Sequence, residues 1–337
     1  MRSEPMKALV NTATQQMTYR DEPMALLLAD DEVRLRIDAV GICGSDMHAY
    51  HGHDPRRIPP IILGHEFAGE VVEGAYLGKR FTGNPLIACG ICDYCVQGRS
   101  NLCSNRSMVG MTRPGAYAEF MTIPVKCLIE IPPDMDATRA ALTEPAATAL
   151  HALHMAQRAS VRPLQECRVL VIGGGAIGMF MALLLRNYGV RGVQVAETNS
   201  LRCVSIARHA DAVAFDPINE VGPNESSCDV VFDCVGSKHT RVAALKAIRH
   251  GGVIVHVGLQ DWASEIDMRK LTLAEITLIG TYTYTMADLR ATVAALHGNA
   301  FGDCSWVEER ALADGAAAFA DLHEGRSASA KIVLRPH

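Results

Sequence analysis

Two short segments, Gly41-Ile42-Cys43-Gly44-Ser45-Asp46-Met47-His48 and Gly64-His65-Glu66, bring a thiol, two imidazoles, a hydroxyl and two carboxylates into the stretch Val40 to Glu66. These are the groups that a divalent metal and a proton-transfer chain need. Cysteine and histidine on opposite sides of a short loop suit zinc, which accepts sulfur and nitrogen at one tetrahedral centre. Cys43 and His65 are the plain ligands. A third comes from Glu66, next in sequence, or from Glu144 in Thr143-Glu144-Pro145, where the first domain ends. A set of one cysteine, one histidine and one or two glutamates keeps a position for water or substrate, as a catalytic zinc requires. The competing interpretation is a small buried cysteine beside surface histidines.

A second cluster has a different character. Cys89, Cys92 and Cys95 are followed by Cys103 in a polar loop. Each Cys-x-x-Cys step turns the backbone so that two sulfurs can meet one ion, and four thiolates fill the tetrahedral shell. This predicts a closed, structural zinc site. A redox dithiol would need two cysteines, not four.

The elements that position these groups follow from length and periodicity. At 337 residues the chain is too long for one ordinary core, so two domains are expected. With 49% hydrophobic and 20% charged residues it has a globular composition, and a net charge of -5 gives no basic footprint for nucleic acid. The longest apolar run, Met179 to Leu185, is too short to span a bilayer. Met1 to Lys7 lacks the apolar core of a signal peptide. Eleven cysteines without a secretion signal point to metal and thiol chemistry rather than disulfides. A cytoplasmic enzyme is the expectation.

Val33 to Val40 alternates with a period of two, predicting a strand with one buried face. Short strands are also predicted at 6–10, 67–72, 80–82, 116–123 and 127–131, with Gly and Pro between them, suggesting a small irregular barrel. From Arg168 the pattern changes. The apolar run Val169 to Ile172 predicts a parallel strand covered on both faces. It leads into Gly173-Gly174-Gly175-Ala176-Ile177-Gly178 and then an apolar helix, the context that a dinucleotide fingerprint needs. Its glycines make the turn, admit the pyrophosphate and let helix and strand pack closely, while the helix N-terminus offers N–H groups to the phosphates. Glu197, about 20 residues further on, is placed to bind the ribose hydroxyls and to repel a 2′-phosphate, favouring NAD over NADP. Arg202 nearby softens that preference. Strands at 192–196, 212–215, 229–234, 253–257 and 276–283 alternate with helices, predicting a doubly wound parallel sheet. Ligands bind at the carboxyl ends of such strands, which puts Val235-Gly236-Ser237 and Val257-Gly258 near the nicotinamide half of the cofactor. A last helix is predicted at 286–297, and Lys331 to Leu334 is a strand returning to the barrel.

Together these pieces resemble the zinc-dependent medium-chain dehydrogenase/reductases, over essentially the whole chain. Gly41 to His48 is similar to that family's catalytic-zinc loop, Gly64-His65-Glu66 to its second ligand motif, and the four-cysteine loop to its structural-zinc lobe. The resemblance implies an α/β fold with a GroES-like irregular β-barrel catalytic domain, residues 1–147 and 299–337, and a Rossmann NAD-binding domain, residues 148–298. Glu144-Pro145 resembles the polyol (sorbitol-type) branch. That match implies Cys43, His65 and Glu66 as zinc ligands, with Glu144 as a fourth or as the holder of a zinc-bound water. Cys167 is the cysteine alternative, ranked below Glu144. The resemblance also gives Ser45 and His48 the task of moving the substrate's hydroxyl proton to solvent, with Asp46 orienting His65 through its free ring nitrogen. Two departures are visible: the region Gly69 to Arg80 is short, with Lys79 where the family often has an acidic residue, and the glycine motif reads Gly-Gly-Gly.

The expected activity is NAD-dependent oxidation of a secondary alcohol to a ketone, with a polyol, sugar alcohol or sugar-alcohol phosphate as substrate and two zinc ions per subunit. Arg56 and Arg57 are expected at the substrate entrance, available to a phosphate or acid. Threonine-type amino-alcohol oxidation and a non-catalytic zinc and NAD redox sensor are the alternatives. The strand at 276–283 looks like an edge that pairs between subunits, so a homodimer or homotetramer is expected. No nucleic-acid or membrane partner is expected.

Overall fold

The computed structural model describes residues 4–337. Strand Glu32–Gly41 is the hub of the barrel. Its alternation buries Val33, Leu35 and Ile37 and turns Arg34 and Arg36 towards carboxylates at Glu73 and Glu70. It pairs antiparallel with Glu66–Glu73, with Phe120–Pro124 and with the C-terminal strand Lys331–Arg335. Gly41 sits opposite both Glu66 and Val333. A Cβ on Gly41 would lie 2.0 Å from Glu66 Oε2, so only glycine lets the Glu66 carboxylate fold back there. The hub thereby delivers three chemically important side chains to one end of the barrel: Cys43, Glu66 and Lys331.

The second domain has six parallel strands in the spatial order Val213–Phe215, Gln194–Ala196, Val169–Ile172, Cys228–Asp233, Ile248–His256, Thr277–Gly280. Every predicted strand of this sheet is present within a few residues. Helix Met286–His297 has the predicted bounds. The last strand stops at Gly280 rather than Thr283, because the chain leaves the sheet there to reach the barrel. Asn101 Nδ2 donates to Tyr282 O at 2.8 Å, and Thr283 has φ +49°. In the barrel, Ala116 to Ala118 are not a ladder strand. Their backbones bond instead to Gly64, Leu63 and Leu9, which anchors the loop before His65.

Three elements had no clear period in the sequence. Gln16–Glu22 and Val307–Ala311 are strands rich in charge, and Gly315–His323 is a helix of alanines and glycine. They form because they have partners: Met6–Ala13, Lys331–Arg335 and the barrel core respectively. The apolar core of the Rossmann sheet runs on without a break into Ala39, Ala68, Ile129 and Ile131 of the barrel. Helix Thr143–Ala159 is the shared element between the two. Among the described residues no helix is long and apolar enough to cross a membrane.

Candidate active site

Cys43 caps helix Gly44–Tyr50. Its sulfur accepts from Ser45 N at 3.5 Å, and Asp46 Oδ2 accepts from Cys43 N at 3.1 Å, a reciprocal cap that fixes both side chains. Asp46 is fully buried. Tyr117 Oη donates to it at 2.7 Å, and its other oxygen stands 3.5 Å from His65 Nδ1. The Asp46 carboxylate thus lies beside the Nδ1 edge of the His65 ring, although no hydrogen bond joins the two. Burial alone would push His65 to its neutral form. The Asp46 carboxylate and Cys43 sulfur outweigh burial and raise its pKa well above the usual value. Such a field belongs to a pocket built for a cation.

Donor atoms of Cys43, His65 and Glu66 all lie within 4.8 Å of one another. Sulfur, nitrogen and oxygen at that spacing fit zinc, and three protein ligands leave a position open. Glu144 is outside this group. Its carboxyl accepts from Tyr284 Oη at 2.7 Å, and burial pushes its pKa up to about 7, with Glu66 adding to the rise and His65 opposing it. Glu66 is held from the other side, where Lys331 Nζ reaches both of its oxygens at 2.7 Å and also donates to Ile42 O. Each carboxylate thus has its own buried partner.

The sulfurs of Cys89, Cys92, Cys95 and Cys103 form the second group within 4.8 Å. The Cys89–Cys103 and Cys92–Cys95 pairs are each 3.5 Å apart. Four thiols converging in one loop fit a closed structural zinc. Cys167 belongs to neither group. It lies just before strand Val169–Ile172, with its sulfur 3.4 Å from Pro163 O.

Ser45 and His48 stand three residues apart on helix Gly44–Tyr50, on one face. Among the described residues no hydrogen bond joins them. Arg57 Nη2 donates to Ser45 Oγ at 3.2 Å, and Arg57 Nη1 donates to Ser45 O. Of the two arginines expected at the entrance, only Arg56 stays exposed. Arg57 is buried against Ser45 and Asp54, while Arg56 grips Asp54 through Nε at 2.8 Å and Nη2 at 2.9 Å. Both guanidiniums are already paired, because Asp54 lies between them on the same loop. Lys79, the other sequence oddity, pairs with Glu130 at the surface.

At the glycine motif, Gly173 has φ +97° and a Cβ on Gly178 would meet Gly173 O at 1.8 Å, so turn and helix need glycine there. A Cβ on Gly175 would meet open space, at the N-terminus of helix Ala176–Asn187, where an approaching phosphate would be met by free N–H groups. Glu197 Oε2 accepts from Gly174 N and Oε1 from Asn199 N, both at 2.7 Å. Glu197 lines a cavity of about 740 Å³ together with Gly173, Val235 and Ser237. That cavity joins residues assigned by sequence to opposite halves of a dinucleotide. Gly236 and Gly258 pack against each other at its edge, each too tight for a Cβ, and Val257 N bonds back to Asp233 O. Arg202 sits in the first turn of helix Ser200–Ala210, its Nε buried without a hydrogen-bond partner. Ala176 and Ile177 open helix Ala176–Asn187. The cavity, the open cradle at Gly175 and the Glu197 carboxylate fit a dinucleotide.

Lys331, Tyr117 and Tyr284 escaped sequence analysis. Only Lys331 carried a signal, as a charge heading an otherwise apolar strand.

The alcohol dehydrogenase GroES-like domain family matches residues 29–133, and the zinc-binding dehydrogenase family matches residues 176–298. The chain is 31% identical over 297 residues to L-galactonate-5-dehydrogenase of Escherichia coli, covering 84% of this chain and 85% of that protein. It is 30% identical over 309 residues to L-threonine 3-dehydrogenase of Pectobacterium carotovorum, covering 86% and 88%. The crystal structure of acetophenone reductase from Geotrichum candidum in complex with NAD superimposes with a TM-score of 0.87 at 28% identity, covering 99% of this chain and 98% of that one. With its two matched domains in this order and its two ligand clusters, the chain belongs to the zinc-binding medium-chain dehydrogenase/reductases of the alcohol dehydrogenase superfamily.

Proposed function

We propose that the protein oxidises a secondary alcohol of the polyol or sugar-acid class to a ketone, with NAD as acceptor. The observation that carries this is the cluster of Cys43, His65 and Glu66 at the foot of the helix that presents Ser45 and His48. Cys43, His65 and Glu66 would hold a zinc ion, with Glu144 beside them. The Gly173–Gly178 turn and Glu197 would hold NAD. Zinc supplies a Lewis acid that acidifies an alcohol oxygen, and NAD supplies the hydride acceptor.

The residues of the chain do the rest. Arg57 occupies one lone pair of Ser45 Oγ and leaves the hydroxyl proton and a second lone pair free to pass a proton on. Burial, with His53 and Arg57 adding positive charge, lowers the pKa of His48 and keeps its imidazole neutral, ready to accept. No hydrogen bond joins Ser45 to His48 among the described residues, so a water between them would complete the path. Asp46, held by Tyr117, sets its carboxylate beside the His65 ring. Glu197 selects a free ribose over a 2′-phosphate, since both of its oxygens face backbone N–H groups at that site. With Arg57 buried and Arg56 paired to Asp54, neither guanidinium singles out a sugar phosphate as the substrate. The similarity to L-galactonate-5-dehydrogenase supports the same class.

The amino-alcohol reading has its own support in the L-threonine 3-dehydrogenase relatives. Following NADH absorbance with L-galactonate, sorbitol, galactitol 1-phosphate and L-threonine separates them. Turnover of L-threonine alone would overturn the polyol assignment. Turnover of nothing, with about one zinc per chain rather than about two, would favour the sensor. We further propose a homodimer or homotetramer built on the edge strand Thr277–Gly280, and domain limits at 1–147 with 299–337 and at 148–298.

A further inference from the structure

We propose that His51 and His323 form a third metal site, with two imidazole ligands, for a borderline divalent ion such as Ni²⁺ or Cu²⁺. His51 Nε2 and His323 Nδ1 stand 2.9 Å apart, and the His53 and His51 ring centroids are 5.6 Å apart. The first pair joins elements 272 residues apart in sequence. His51 caps the C-terminus of helix Gly44–Tyr50, and His323 ends helix Gly315–His323. Tyr50 packs on Phe319 with ring centroids 5.4 Å apart, so the two helices hold the imidazoles together.

Two nitrogens bound at about 2.0–2.1 Å to adjacent corners of a square or octahedral shell lie about 2.9 Å apart, and at tetrahedral corners about 3.4 Å. The observed 2.9 Å is the length of the hydrogen bond that now joins the rings, close enough for both nitrogens to reach one ion, and it is the imidazole donor type that suits Cu²⁺ or Ni²⁺. Binding would break the N–H···N bond, move its proton to the other nitrogen of that ring or to solvent, and turn both rings so that their lone pairs converge on the ion. The carboxylates nearby on the C-terminal segment are engaged elsewhere: Asp321 binds Arg310 and Arg326, and Glu324 pairs with Arg326. The donor set is imidazole alone, which disfavours Ca²⁺ and Mg²⁺. Burial, followed by the neighbouring His323, His53 and His48, lowers the pKa of His51 and keeps a lone pair available at neutral pH. This site shares no residue with the two clusters described above.

An ion there would add positive charge one helical turn from His48, opposing its protonation and slowing alcohol oxidation. That consequence rests on His48 as proton acceptor; the binding does not. The test uses zinc-loaded protein freed of any affinity tag, titrated with NiCl₂ by calorimetry, with bound nickel and retained zinc counted after dialysis. Wild type is expected to bind one Ni²⁺ more than His323→Gln and His51→Gln, with zinc content unchanged. Equal nickel uptake by all three proteins, or uptake matched by zinc release, would overturn the site. Under saturating substrate, Ni²⁺ should slow wild type and spare His323→Gln. Equal slowing of both would sink the link to catalysis while leaving the binding result to stand by itself.

Discussion

At the scale of single residues, the site depends on buried charges that are individually costly and mutually compensated. Lys331 and Glu66 form a pair from which water is excluded, and a buried charge stripped of its partner costs about 3–5 kcal/mol. Lys331→Met should therefore lower stability by about that amount in thermal or urea unfolding, and adding Glu66→Gln should recover most of the loss. Equal instability in single and double variants would mean that Lys331 matters for its bond to Ile42 O instead. His48 makes a kinetic prediction. Its pKa is lowered, so the neutral, proton-accepting form persists below the ordinary histidine range, and kcat for oxidation falls only as pH drops through that lowered value. His48→Gln should abolish this acid limb and reduce kcat, on the order of tenfold to a hundredfold. A variant with the same limb would exclude His48 as the acceptor. Cys43, His65, Glu66 and the four cysteines were legible in sequence because metal-ligand spacing is local. Lys331, Tyr117 and Tyr284 were not, since their partners lie 265, 71 and 140 residues away.

At the scale of elements, Asp288 does two jobs at one helix terminus. It completes a capping box with Thr285 at the start of helix Met286–His297. It also accepts from His151 Nδ1 at 2.8 Å and His154 Nδ1 at 3.0 Å on helix Thr143–Ala159. Burial would raise its pKa, but the bonds from His151, His154 and Thr285 together hold it far below the usual carboxylate value. Asp288→Asn should cost about 1–3 kcal/mol at neutral pH. A carboxylate with a depressed pKa stabilises above the unfolded value of about 4 and loses that contribution as pH falls through its folded value. The stability advantage of wild type over Asp288→Asn should thus persist down to about pH 4 and close in stronger acid. A difference that stayed undiminished in stronger acid would contradict this assignment. The helix itself was readable, with Gly298 to end it. The strands Gln16–Glu22 and Val307–Ala311 were not, because partner strands, rather than their own alternation, place them.

At the scale of the whole molecule, the barrel keeps an apolar core of its own, while the core on one face of the parallel sheet continues into Ala39, Ala68, Ile129 and Ile131 of the barrel. The fold class was visible because the period changes from two to alternating strand and helix at Arg168. How the second sheet ends was less visible, and it bears on assembly. Strand Thr277–Gly280 closes the six-strand order at one side and leaves Thr277 and Leu278 exposed. The chain leading into it also exposes Leu259, Trp262, Met268 and Leu273. An unpaired, partly apolar edge is a template for a further strand, and proteins that stay monomeric usually guard it with charge or proline. No charged residue or proline occurs from Thr277 to Gly280. Pairing with the same strand of a second copy would satisfy the free N–H and C=O groups and cover Leu278. Lysine is the substitution that guards natural edges, so Leu278→Lys should shift the sedimentation mass of the protein down to a smaller species. Its circular dichroism should match wild type, because the side chain is already on the surface. A wild type that sediments as a monomer, or a variant with unchanged mass, would place the subunit contact elsewhere.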